Sequence, residues 1–168
     1  MLMNKIFLIG MMGCGKTTVG KELAQVLGYT FIDSDSEIEK KSKMKISQIF
    51  LNYGEPYFRK LETDFLDSLP EKKIVVACGG GLPCFNDNIN RIKRLGFVIY
   101  LEAAPVLLFL RVAKLKDRPL ISDLKQFKVL FNQRSGDYQA ADVVIDASLT
   151  TKEILVQILL KTDSKIEK

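Results

Sequence analysis

Gly10-Met11-Met12-Gly13-Cys14-Gly15-Lys16-Thr17 carries, in order, the residue types needed to wrap a chain of phosphates. Glycines let the backbone turn its N–H groups inward with no Cβ in the way. Lys16 supplies a compact positive charge for the β- and γ-phosphates, and Thr17 offers a hydroxyl to Mg²⁺. The pattern is Gly-x-x-x-x-Gly-Lys-Thr, the P-loop, and its flanks suit it. Ile6-Phe7-Leu8-Ile9 before it is a short apolar run, as expected of a strand buried on both faces. Val19, Leu23, Val26 and Leu27 after it fall on one helix face, and Gly28 stands where a C-cap glycine belongs. That helix points its positive end at the same phosphates.

Other polar residues fall at places where chemistry is done. Asp33 and Asp35 follow a short strand, Tyr29-Thr30-Phe31-Ile32, at the rim where α/β sheets bind ligands. One carboxylate can face a metal and the other a substrate. Asp33, Ser34 or Asp35 can equally open the next helix as its N-cap, and both roles are compatible. A third strand, Ile74-Val75-Val76-Ala77, runs into Gly79-Gly80-Gly81, a second place for backbone to approach a ligand. This strand ends without an Asp of the Walker B kind, which leaves Asp33 as the available metal-side carboxylate. Arg59 and Glu62, three apart, are neighbours on a helix surface. On spacing alone they read as an exposed ion pair of little energetic weight. Lys114-Leu115-Lys116-Asp117-Arg118-Pro119-Leu120 is basic and broken by proline, and beside a triphosphate it reads as a mobile lid that delivers an arginine.

The elements that must position these residues alternate. Ile46 to Tyr53 reads as a short helix, Gly54-Glu55-Pro56 as a break, and Phe58, Leu61, Phe65, Leu66 and Leu69 as the apolar face of the next helix. Asn88 to Leu95 is predicted helical, Phe97 to Leu101 a fourth strand, and Pro105 the start of a helix running to Leu115. Phe127, Leu130 and Phe131 lie on a helix that also carries Arg134 and Tyr138. Val143-Val144-Ile145 is a fifth strand, Lys152 to Leu160 a last helix, and Lys161 to Lys168 a polar, frayed tail. Five short apolar strands separated by helices predict an α/β fold: a parallel sheet with helices on both faces and the ligand site at the strands' C-terminal edge.

The 168 residues fit one domain, with 47% apolar and 27% charged residues. Net charge is +5, but the lysines are scattered, which suits a field attracting small anions better than nucleic-acid binding. Cys14, Cys78 and Cys84 are odd in number and lack metal-ligand spacing, so they read as free thiols in a reducing compartment, the cytoplasm. No apolar run is long enough to span a bilayer, and no signal-peptide layout is present. Without histidine, general bases and metal ligands of that type are excluded.

Taken in order, Gly-x-x-Gly-Cys-Gly-Lys-Thr, Asp33-x-Asp35, Phe58-Arg59-x-x-Glu62, Gly79-Gly80-Gly81, Arg118-Pro119-Leu120 and Arg134 resemble the shikimate kinase family across nearly the whole chain. The resemblance implies a three-layer α/β/α P-loop kinase fold, residues 1–168 as one kinase domain, and a lid at about 113–124. It implies transfer of the γ-phosphoryl of ATP to the 3-hydroxyl of shikimate, with Mg²⁺, by a monomer with no nucleic-acid or membrane partner. ATP falls to Gly13, Cys14, Gly15, Lys16, Thr17, Thr18, Arg111 near adenine, and the lid's Arg118. The metal falls to Thr17 and Asp33. Asp35 is the base at the substrate hydroxyl, and Lys16 and Arg118 complete the catalytic set. Arg59, held by Glu62, and Arg134 grip the substrate carboxylate, and Gly80 contacts the substrate. Cys14 stands where many members have Ser, Ala77-Cys78 lacks a hydroxyl many members carry, and Thr150 is a weak candidate near adenine. A gluconate kinase would share Lys16 and a lid but need not have the Arg59/Arg134 pair. A GTPase-like switch is disfavoured because Asp-x-x-Gly and Asn-Lys-x-Asp are missing.

Overall fold

The computed structural model describes residues 4–114 and 123–162. Its elements alternate along the chain: β1 (Lys5–Ile9), α1 (Lys16–Leu27), β2 (Thr30–Asp33), α2 (Ser34–Ser42), α3 (Ile46–Asp67), β3 (Ile74–Ala77), α4 (Asn88–Leu95), β4 (Phe97–Glu102), α5 (Pro105–Ala113), α6 (Leu124–Gln139), β5 (Val143–Asp146) and α7 (Thr151–Thr162). The strands form one parallel sheet in the order β2-β3-β1-β4-β5. The apolar runs explain the order. β1, β3 and most of β4 are buried along their length, so they occupy the middle, covered on both faces. β2 is more exposed and takes an edge. The chain passes from β1 to β2 and β3 on one side and then crosses to β4 and β5 on the other, and this divergence opens a crevice beyond the carboxyl end of β1. Burial of each large apolar side chain there contributes about 1.5–3 kcal/mol, which fixes the loops the strands carry.

Several boundaries differ from the sequence reading. Tyr29 is not in β2; its N–H donates to the Ala24 carbonyl and closes α1 behind the left-handed Gly28. Val26 is 58% exposed. The buried arc of α1 passes through Val19, Gly20, Leu23 and Ala24, and the lack of a Cβ at Gly20 lets the helix seat on Phe31 and Leu8, which turns Val26 to the arc's edge. α3 continues through the expected break: Gly54 has φ 77 and ψ 173, so two helical segments meet at a kink, with Pro56 in the first turn of the second. α5 ends at Ala113, not at Leu115, which lies outside the described residues. α7 runs on to Thr162, whose buried hydroxyl donates to the Ile158 carbonyl, so Lys161 is helical rather than frayed. The tail at 163–168, and 115–122 of the expected lid with Arg118, lie outside the described residues. None of the described helices is long and apolar enough to cross a membrane.

Candidate functional site

The P-loop leaves β1 and turns on glycines for two different reasons. Gly13 has φ 85 and lies so close to α5 that a Cβ would stand 2.7 Å from the Leu108 carbonyl oxygen. Gly15, at φ 92, is the N-cap of α1 and brings no capping side chain, so the first-turn N–H groups stay available to an anion. Lys16 folds back over the loop: its Nζ donates to the carbonyls of Gly10 at 2.7 Å and Met11 at 3.1 Å and lies 3.6 Å from Cys14 Sγ. Cys14 is buried, so its thiol acts as packing under the loop, and its N–H donates to the Met11 carbonyl at 3.3 Å. Thr17 and Thr18 are exposed at the start of α1.

The junction of β2 and α2 sits beside this loop, and Asp33 holds both roles that its position allowed. Its Oδ1 accepts from Ser36 N at 3.1 Å and caps α2, while its Oδ2 accepts from Thr17 Oγ1 at 2.9 Å. A hydroxyl and a carboxylate oxygen meeting at the P-loop are hard donors of the kind Mg²⁺ takes, one or two per protein, with phosphate and water completing the shell. Among the described residues there is no cluster of three acidic, Cys or His side chains.

Across the crevice the glycine triplet acts as a floor. None of its three residues needs an unusual φ; what each needs is the missing Cβ. A Cβ on Gly79 would overlap the Asp35 carboxylate, one on Gly80 would stand 3.4 Å from Arg134 Nη1, and one on Gly81 would overlap the Arg59 guanidinium. Three of the expected substrate residues, from α2, α6 and α3, are thus set side by side on consecutive backbone units. Gly80 also borders the P-loop, with Gly10 O and Met12 N within 3.7 Å of its Cβ position. The floor is pinned from below: Gly79 N donates to the buried Ser34 Oγ at 2.7 Å, and Tyr138 Oη donates to the Gly80 carbonyl at 2.6 Å.

Arg59 and Glu62 are not a surface pair. Arg59 is 8% exposed and Glu62 1%. Arg59 Nη1 donates to Glu62 Oε2 at 2.8 Å, and its Nε and Nη2 both reach Glu55 Oε1, at 3.0 and 2.6 Å. Both lie in the segment of α3 that follows the kink at Gly54, and their burial is something spacing alone did not reveal. Burial pushes the Glu62 carboxyl up to about 7, with Asp35 adding to the rise and Arg59 and Arg134 opposing it. Cys78 and Cys84 are buried and half-buried thiols, both pushed upward by burial, and so are poor nucleophiles.

Arg111 Nη1 donates to the Ala147 carbonyl at 2.8 Å and lies 3.5 Å from the Gly13 carbonyl, so it ties the P-loop to the loop after β5. Thr150 exchanges hydrogen bonds with Glu153 and caps α7, which is a structural use of that side chain. The sequence reading missed Glu55, Ser34 and the hold of Tyr138 on Gly80. Two had a signal: Glu55 stands four residues before Arg59 and Tyr138 four after Arg134, the helical spacing of neighbours. Ser34 had none.

The strand order, with a P-loop after the central strand and acidic residues at the next strand's end, makes this chain a P-loop kinase. The family model for shikimate kinase matches residues 12–163. A shikimate kinase from Caldanaerobacter subterraneus subsp. tengcongensis is 37% identical over 98% of this chain and 99% of its own. The structure of shikimate kinase from Acinetobacter baumannii in complex with shikimate superposes with a TM-score of 0.89 at 35% identity, covering 98% of this chain and 96% of that one. The chain belongs to the shikimate kinase family. A gluconokinase from Sinorhizobium meliloti, at 16% identity and a TM-score of 0.59, shares the fold alone.

Proposed function

We propose that this chain binds ATP on the P-loop and transfers its γ-phosphoryl group to the 3-hydroxyl of shikimate, with the residues named above in those roles. The observation that carries the reading is the glycine floor, which sets Asp35, Arg134 and Arg59 in a row beside the P-loop. A carboxylate held by two arginines at one end of a rigid ring leaves a hydroxyl at the other end near Asp35. Asp35 takes the proton of that hydroxyl as its oxygen bonds to the γ-phosphorus, and the bond to the bridging oxygen breaks to release ADP. Lys16 leaves the carbonyls of Gly10 and Met11 for the phosphates. Thr17 and Asp33 would hold Mg²⁺, which when bound neutralises phosphate charge. Arg111 is assigned to the adenine side and Arg118 to the phosphates, both by family resemblance. Residues 1–168 act as one monomeric kinase domain in the cytoplasm, a reading supported by three thiols without a disulfide.

The test is kcat/KM for shikimate, shikimate amide and gluconate in one ADP-release assay. Shikimate is used well. The amide falls by about 30-fold or more, because two arginines then face a neutral group, a loss of about 2–5 kcal/mol. Gluconate is a very poor substrate because its open chain holds no hydroxyl rigidly at Asp35. Equal use of the amide, or a preference for gluconate, overturns the assignment.

Glu62 gives the site a pH dependence with two opposite signs. Burial raises its carboxyl from an ordinary 4.5 to about 7, so the folded protein holds this proton more tightly than the unfolded chain. Its contribution to stability is therefore present below about 4.5 and is lost as pH rises through 7. Its grip on Arg59 runs the other way, because only the ionised carboxylate pairs fully with the guanidinium. From pH 6 to 8 the KM for shikimate falls while this group's contribution to Tm falls too, and Glu62→Gln removes both trends. Parallel pH profiles of KM and Tm for the two proteins check this; profiles that coincide count against it.

A further inference from the structure

Arg59 is gripped on its edges by two carboxylates, and its guanidinium carbon lies over an aromatic ring. The ring of Phe85 lies with its centroid 3.9 Å from Arg59 Cζ, much nearer than the rings of Phe58 at 5.3 Å and Phe50 at 6.0 Å. We propose that Phe85 is a positioning residue that sets the plane of the Arg59 guanidinium and so determines how well the substrate carboxylate is received. This rests on the reading of Arg59 as a carboxylate-binding residue.

Three observations carry it. First, stacking uses no N–H. Glu55 takes Nε and Nη2 and Glu62 takes Nη1, so of five N–H groups two, one on each Nη, are left for a ligand. A face-on ring can restrain the guanidinium without taking either. Second, the ring is stationed there by the backbone. Phe85 is extended and is followed by Asn86 and Asp87 at φ 54 and 57, two consecutive left-handed residues of types that tolerate it. Third, this turn is tied to the helix turn that bears Arg59. Asn86 Nδ2 donates to the Arg59 carbonyl and to Thr63 Oγ1, both at 3.3 Å, while Asn88, fully buried, reaches Thr63 Oγ1 at 3.3 Å and the Leu82 carbonyl at 3.0 Å. Ring and guanidinium therefore move as one body with α3. A merely space-filling ring would need none of these ties. Phe85 is itself half-exposed, so its replacement leaves the core intact.

The experiment compares wild type with Phe85→Leu, Phe85→Tyr, Arg59→Lys and the Phe85→Leu/Arg59→Lys double variant. Steady-state kinetics are read together with the Arg59 Nε–Hε resonance in ¹⁵N-labelled protein. Phe85→Leu should raise the KM for shikimate about tenfold, with kcat and the KM for ATP within about twofold. Phe85→Tyr, which keeps the π face, should restore it. In the double variant, loss of the ring should cost little beyond Arg59→Lys, because a lysine cannot stack flat. The Arg59 Nε–Hε resonance should be shifted by the ring in wild type and Phe85→Tyr and should move in Phe85→Leu. A shikimate KM unchanged in Phe85→Leu, or single effects that multiply in the double variant, overturns the proposal. Wild type that fails to phosphorylate shikimate would overturn the functional assignment instead, and an Arg59 resonance indifferent to Phe85→Leu would still overturn the role of the ring.

Discussion

Replacing Asp35 with Asn lowers turnover by about 10²–10⁴-fold while nucleotide affinity stays within about threefold. Asn keeps the shape of the side chain but cannot accept the proton that the acceptor hydroxyl must lose. The structure separates the two aspartates that sequence could only place at one strand end. Asp33 bonds Thr17 and caps α2, so its carboxylate belongs to the nucleotide side. Asp35, two residues further on, rests on Gly79, and Gly79 N is held by Ser34 Oγ in the same helix turn. The carboxylate therefore lies against a backbone unit that is itself fixed, and the isosteric amide has the same place to occupy. The measurements are kcat with both substrates saturating and ADP affinity by calorimetry. A fall in ADP affinity without a fall in turnover would move Asp35 to the metal side and leave the reaction without its base.

The strands and the P-loop were legible because each rests on local pattern. Continuous apolar runs mark central parallel strands, and a glycine-rich turn with Lys16 needs the strand and helix that flank it. What the sequence could not reveal was tertiary. Arg59 and Glu62 at i and i+3 look like any exposed helix pair, and nothing in their spacing tells that the fold buries both. The glycine triplet read as a place for backbone to approach a ligand, and the structure adds close approach by three side chains from three helices. Val26 failed for a related cause, since a helical wheel cannot know that Gly20 and Ala24 face the sheet. Without the family resemblance, the arginine pair would have gone unassigned.

Lys16→Ala removes most activity, by at least about 10²-fold in kcat, while the protein still folds. The ammonium of Lys16 lies in the concavity of its own loop, held by the Gly10 and Met11 carbonyls. Those bonds keep a strong donor satisfied and stationed within reach of the phosphates, and a bound phosphate offers it charged oxygens in place of neutral carbonyls. The interaction strengthens further as charge shifts onto the β–γ bridging oxygen, so its loss is felt in kcat as well as in binding. The fold has little stake in it. Lys16 is half-buried at the first position of α1, the core beneath is made by β1, β3 and β4, and the P-loop's shape is set by Gly13 against α5 and by the buried Cys14. The alanine variant leaves the carbonyls of Gly10 and Met11, both buried residues, without this donor, so its Tm should fall by about 2–8 °C with the protein still folded. Lys16→Arg should rescue little, because a planar fork does not fit where a compact ammonium sits between two carbonyls. Single-turnover transfer at saturating ATP, beside a thermal melt of each variant, decides it. Near wild-type transfer by a folded Lys16→Ala protein would mean that this loop does not supply the positive charge the reaction needs.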